Sequence, residues 1–212
     1  HSLAKELEKD NKVYRISFSK QYPNLFFPGK TQLFDFNGQS SMNLINSINP
    51  LSWKSTANYI NNIEPDLVIF QYWMPFFAPA FSSIAKKIKN TNDTKIIVNC
   101  NNIIPHESGI FDKYLSLKFF KHCDYFIVMS DSVKNDLLSI IPSASYIESK
   151  HPLYDTFGNS IDKEEARKSL SLKSEKVILN FGLIRDYKGL DLLIESTDNL
   201  KNKLDDFKIV VA

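Results

Sequence analysis

Three short apolar runs, LVIFQY at Leu67–Tyr72, KIIVNC at Lys95–Cys100 and YFIVMS at Tyr125–Ser130, are each followed by a stretch whose apolar residues recur at helical spacing. Strands that alternate with helices of this length leave few ways to fold. Parallel strands need crossovers of a dozen or more residues, and such crossovers are right-handed, so the pattern predicts an α/β domain built on a doubly wound parallel sheet. The same signal recurs in VILNFGLIRDYKGLDLLIES, Val177 to Ser196, where an apolar run ends in a Gly, a short basic loop follows and a helical pattern begins. Ligands of open α/β sheets bind beyond the carboxyl ends of the strands, so Gly182, Arg185 and Lys188 stand where an anion would dock.

The remaining segments fill in around these units. HSLAKELEKDN carries Leu3 and Leu7 at helical spacing, and KVYRISF reads as a strand through Val13, Tyr14, Ile16 and Phe18. From Ser19 to about Trp53 the pattern dissolves into Pro, Gly, Asn and scattered aromatics, which reads as a long loop, functional or partly helical. A short helix in SWKSTANYINNI stops before Pro65. The helix from Ala78 to Lys89 places Phe81, Ile84, Ala85 and Ile88 on one face. Asn99 to His106 reads as a loop broken at Pro105, and Ser130, Asp131 or Ser132 caps the helix that follows the third apolar run. SASYIESKHPLY adds a last strand before DTFGNS interrupts the rhythm, and IDKEEARKSLSL is a helix capped at Asp162. The expected organisation is therefore a first domain over residues 1–155, a linker with its helix over 156–174, and a second domain opening at 175–212. Nothing strand-like precedes the first helix and FKIVVA has no turn behind it, so the reading expects a fragment that lacks its first strand and most of its second domain, inactive by itself.

Composition narrows the function classes. Lys plus Arg total 26 against 24 for Asp plus Glu, and a net charge of +2 gives no overall field for nucleic acid. Cys100 and Cys123 are too few for a disulfide framework and lie in or beside apolar runs, as buried free thiols do in a reducing compartment. No apolar run reaches the length of a membrane span. The expected location is cytoplasmic, with peripheral contact at the inner face of a membrane. No metal-ligand spacing, nucleophile elbow or GxxxxGK run occurs, so a metal site, a hydrolase and an NTPase lack support.

The string FGLIRDYKGLDLLIES, together with NNIIPHESGIFDKYL, CDYFIVMSDSVKNDLL and HPLYDTFG, resembles the retaining glycosyltransferases of the GT-B architecture, family 4. The resemblance covers most of the chain. It implies two Rossmann-like domains, of which the first holds a glycan or lipid-linked acceptor and the second a nucleotide-diphosphate sugar. It also implies metal-independent transfer with retention and no cofactor. The residues matching Arg185 and Lys188 contact the donor diphosphate in that family. A planar guanidinium and a mobile ammonium suit a diphosphate that leaves with growing negative charge. Gly182 would let the backbone come close to the ligand.

His106 and Glu107, beyond the carboxyl end of a strand, would contact the acceptor hydroxyl or the transferred sugar, His106 as hydrogen-bond donor or proton shuttle. Where family members often carry a His just ahead of the Asn matched by Asn102, this chain has Asn101, which would support the sugar by neutral hydrogen bonds. The residues alone also fit plainer roles. Arg185 and Lys188 are solvated charges in many such loops, and His106 and Glu107 fit a loop histidine and a helix-start carboxylate. The aromatic loop Tyr22–Phe36, with Phe26, Phe27 and Lys30, fits either a lipid-linked acceptor or a fold-back onto the core. A second functional class therefore stays open: a non-catalytic GT-B-like protein that binds a nucleotide sugar or glycan, or partners an active transferase.

Overall fold

The computed structural model describes residues 2–23, 41–105, 111–151, 158–173, 176–182, 184, 188–204 and 206–212. The chain divides into two compact units, His1–Pro152 and Leu153–Ala212.

The first unit begins with helix α1 (Ser2–Leu7) and strands β1 (Ile16–Lys20) and β2 (Met42–Asn46). Helix α2 (Pro50–Ile63), strand β3 (Leu67–Tyr72), helix α3 (Ala78–Lys89), strand β4 (Lys95–Cys100), helix α4 (Asp112–Phe120), strand β5 (Tyr125–Val128), helix α5 (Asp131–Ile140) and strand β6 (Tyr146–Glu148) follow in alternation. β3, β4, β5 and β6 form one parallel sheet in that order, flanked by helices, as in a Rossmann-like doubly wound α/β fold. β1 and β2 form a separate parallel pair. Two expectations need correction. The stretch from Ser19 to Trp53 contains the strand β2, and the first strand starts at Ile16 rather than Val13.

Local chemistry sets the helix ends. The Asn49 carboxamide accepts the Leu51 amide at 3.0 Å and Pro50 opens α2, so this helix starts ahead of Ser52. It ends at Glu64 in the left-handed conformation, with Pro65 next. Ser130 is the residue that caps α5, its hydroxyl accepting from the Val133 amide at 3.3 Å.

Register puts Val68, Phe70 and Tyr72 beside Ile96, Val98 and Cys100, and Val98 and Cys100 beside Phe126 and Val128, all on one face of the sheet. α3 packs between α2 and α4, and the rings of Phe81 and Phe119 close on Phe70 at 5.1 Å each. Phe18 of β1 reaches Phe77 at 4.9 Å and Phe81 at 6.0 Å, so the β1–β2 pair shares this aromatic core. Each buried Phe contributes about 1.5–3 kcal/mol of transfer free energy. Cys100 lies in the same layer, and burial pushes its thiol up to about 12, which removes it from nucleophilic chemistry.

The amino-terminal ends of the strands are tied together. The Thr94 hydroxyl donates to the Pro65 carbonyl at 2.8 Å. Asp124 accepts the Ile96 amide at 2.7 Å and both of its oxygens take Lys89 at 3.0 Å. Burial opposes ionisation of Asp124, but these hydrogen bonds outweigh it and hold the carboxyl below its ordinary value. Its contribution to stability is therefore complete above the unfolded carboxylate pKa of about 3.9 and is lost as pH falls through the lower native value. Asp124→Ala is expected to cost about 1–3 kcal/mol at neutral pH. Asp124→Asn is expected to flatten the acid limb, read as urea midpoints across pH.

The second unit contains α6 (Lys163–Ser169), β7 (Lys176–Asn180), α7 (Leu190–Glu195), α8 (Thr197–Lys201) and β8 (Phe207–Val211). Asp162 caps α6 through the Glu164 amide at 2.8 Å. β7 and β8 pair in parallel from Lys176↔Phe207 to Asn180↔Val211.

Candidate functional site

In the second unit, β7 ends at Asn180 and the Gly182 amide donates to the Ala212 carbonyl at 2.7 Å, which extends the ladder by one step past the strand. Gly182 has φ +125, a conformation that side chains rarely adopt, and a Cβ added there would meet nothing within 4 Å. Conformation rather than crowding calls for glycine here, and the space above its backbone is open. Gly189 at φ +66 then forms the left-handed entry to α7. The turn from β7 to α7 is thus bracketed by two glycines in backbone conformations suited to that residue. Lys188 is exposed immediately before the second of them. Asp191 in the first turn of α7 adds a negative charge that partly offsets the helix end as an anion site. Arg185 lies outside the described residues.

In the first unit, Asn101 and Asn102 follow the carboxyl end of β4. The Asn101 amide donates to the Tyr72 carbonyl at 2.8 Å, which fixes the start of the loop to the end of β3. Asn101 is exposed and Asn102 half-buried. His106 and Glu107, the other expected site residues of this unit, lie outside the described residues, as do Phe26, Phe27 and Lys30 of the aromatic loop. The candidate residues therefore form two sets, Asn101 with Asn102 in one unit and Gly182 with Lys188 in the other.

The sequence reading missed an amide pair at the carboxyl end of the sheet. Asn99 belongs to β4 itself, not to the loop, and stands in register with Gln71 of β3. Its Nδ2 donates to Gln71 Oε1 at 2.9 Å, while its buried Oδ1 has no hydrogen-bond partner. The pair lies on the face opposite the aromatic core, because Asn99 and Gln71 alternate with Cys100 and Tyr72. A polar residue interrupting KIIVNC was the available signal. Tyr22 and Trp73 add an aromatic group beyond the ends of β1 and β3, with the Tyr22 ring stacked on Phe76 at 6.0 Å and Trp73 Nε1 donating to Tyr22 Oη at 3.5 Å.

Among the described residues no group of three His, Cys, Asp or Glu side chains is placed to hold a metal ion, and no helix is long and apolar enough to cross a membrane. Compared with models of known protein families the chain matches none, and no curated protein matches it.

Proposed function

We propose that this chain belongs to a retaining glycosyltransferase of the GT-B type, which moves a sugar from a nucleotide-diphosphate donor to a glycan or lipid-linked acceptor. The observation that carries the reading is the β7–α7 turn, where Gly182 and Gly189 in positive-φ conformations bracket the segment that holds Arg185 and Lys188. A strand that runs out to a glycine with open space above it, and a lysine at the entry to the following helix, form a suitable seat for a diphosphate. In this reading Arg185 and Lys188 stabilise the leaving diphosphate without a metal, and His106, Glu107, Asn101 and Asn102 contact the transferred sugar or acceptor. The amide pair of Gln71 and Asn99, with the unpartnered Asn99 Oδ1, supports an uncharged hydroxyl-bearing acceptor, since amides pair with hydroxyls.

The test is a screen of the natural polypeptide against a panel of nucleotide-diphosphate sugars, scored by release of nucleoside diphosphate and by its increase with added glycan or lipid-linked acceptor. One donor class is expected to turn over, with chelators leaving the rate unchanged. The second reading, a binding protein without transfer, draws on the exposed Asn101. It predicts saturable nucleotide-sugar binding with no release. Neither release nor saturable binding would overturn both.

A further inference from the structure

The outer surface of α4 is built unlike the rest of the helical layer. Phe111, Tyr114 and Leu117 are 72%, 54% and 42% exposed, and Lys113, Lys118 and Lys121 stand exposed among them. At 100° per residue these six positions fall on one side of the helix, while Ser116, Phe119 and Phe120 turn inward to the core. Three large apolar side chains interleaved with three ammonium groups do not serve the fold, because the helix is already anchored from its other side. The Ser82 hydroxyl of α3 donates to the Lys118 carbonyl at 2.9 Å, so the α4 surface is fixed on α3. Lys118 Nζ sits 4.9 Å from the centre of the Tyr114 ring, which holds the charged and the aromatic groups side by side.

The charge continues past α4. The only carboxylate on α2, α3 and α4 is Asp112, against Lys54, Lys86, Lys87, Lys89, Lys113 and Lys118. Of these lysines Lys89 is taken by Asp124. Lys86 is exposed on α3, which packs against α4, and Lys121 is exposed directly after α4. For a chain of net charge +2 this is a marked surplus of lysines over carboxylates on three successively packed helices.

We infer that the outer face of α4, with Lys86 beside it, is a docking surface for an anionic lipid bilayer. Phe111, Tyr114 and Leu117 enter the headgroup–acyl boundary while Lys113, Lys118, Lys121 and Lys86 meet lipid phosphates. A polyanion alone would account for the lysines but leave the exposed Phe111 and Leu117 without a role. An apolar protein partner would account for those two but gain nothing from the lysines. A membrane surface uses both. The inference does not depend on sugar transfer, so its failure leaves the donor reading standing and the reverse holds too.

The test is flotation of the 212-residue chain with vesicles of phosphatidylcholine alone and of phosphatidylcholine mixed with phosphatidylglycerol. Binding is expected only to the mixed vesicles and is expected to weaken as salt rises. Each of Lys113→Gln, Lys118→Gln and Lys121→Gln is expected to weaken partitioning about fivefold. The Phe111→Ser, Tyr114→Ser double variant is expected to weaken it by at least about tenfold. Unchanged far-ultraviolet circular dichroism and melting, expected at these exposed positions, separate lost docking from lost folding. Equal binding to neutral vesicles, or undiminished binding by a variant that combines Lys113→Gln, Lys118→Gln and Lys121→Gln, would overturn the inference. So would a chain that ignores vesicles but is retained on heparin or duplex DNA with Phe111 and Tyr114 dispensable.

Discussion

Replacing Phe119 with alanine is expected to lower the stability of the first unit by about 3–5 kcal/mol, a large part of what a domain of this size possesses. Phe119 is completely buried, and its ring lies 5.1 Å from Phe70, 5.6 Å from Tyr72, 5.5 Å from Phe81 and 5.6 Å from Phe120. It is thus the piece that α4 inserts between α3 and the sheet. Its removal strips partners from four aromatic rings at once, and the helices on either side are held by other contacts that resist collapse into the space. Urea unfolding followed by circular dichroism should show a lower midpoint at an unchanged slope. Phe119→Leu, which keeps most of the volume, should fall well short of that loss. A shift below about 1 kcal/mol for the alanine variant would mean that the cluster relaxes easily and is not a close-packed core.

The second large effect concerns turnover. In the natural polypeptide Arg185→Ala and Lys188→Ala are each expected to reduce sugar transfer by about 10²–10³, the range found when a donor to developing negative charge is removed. The loss should fall mainly on kcat, because the diphosphate becomes more negative as the bond to the sugar breaks. Arg185→Lys should recover little, since an ammonium cannot reproduce a planar two-point contact. Lys188 is exposed, so melting of its variant should match the parent protein. Normal turnover in both alanine variants would remove the diphosphate assignment.

What could be read in the residues, and what could not, follows from where each segment lies. β3, β4 and β5 were legible because they read as short apolar runs of strand length whose inward residues, among them Phe70, Val98 and Phe126, are buried. α3 was legible because its inward face repeats at helical spacing. β2 was not: MNLIN offers only Met42, Leu44 and Ile45 among asparagines, it pairs among the described residues with β1 alone, and the Asn- and Ser-rich flanks resemble a loop. Its helix start was nevertheless encoded, in Asn49 and Pro50. Gly182 could be found as the glycine that ends an apolar run before a helical pattern, whereas the left-handed conformation of Gly189 shows only in the structure. Asn99 could not be given its place, since only the register with Gln71 reveals an amide pair rather than a loop residue.

The ties through Thr94, Asp124 and Lys89 have one more consequence. All of them join the ends where β3, β4 and β5 begin, from the Pro65 carbonyl before β3 to the Asp124 carboxylate before β5. Nothing in them involves the loops where those strands finish. Insertions, deletions and exchanges among the finishing loops therefore leave this bracing intact, so the first unit can diverge in what it recognises at one end while its strands stay aligned from the other.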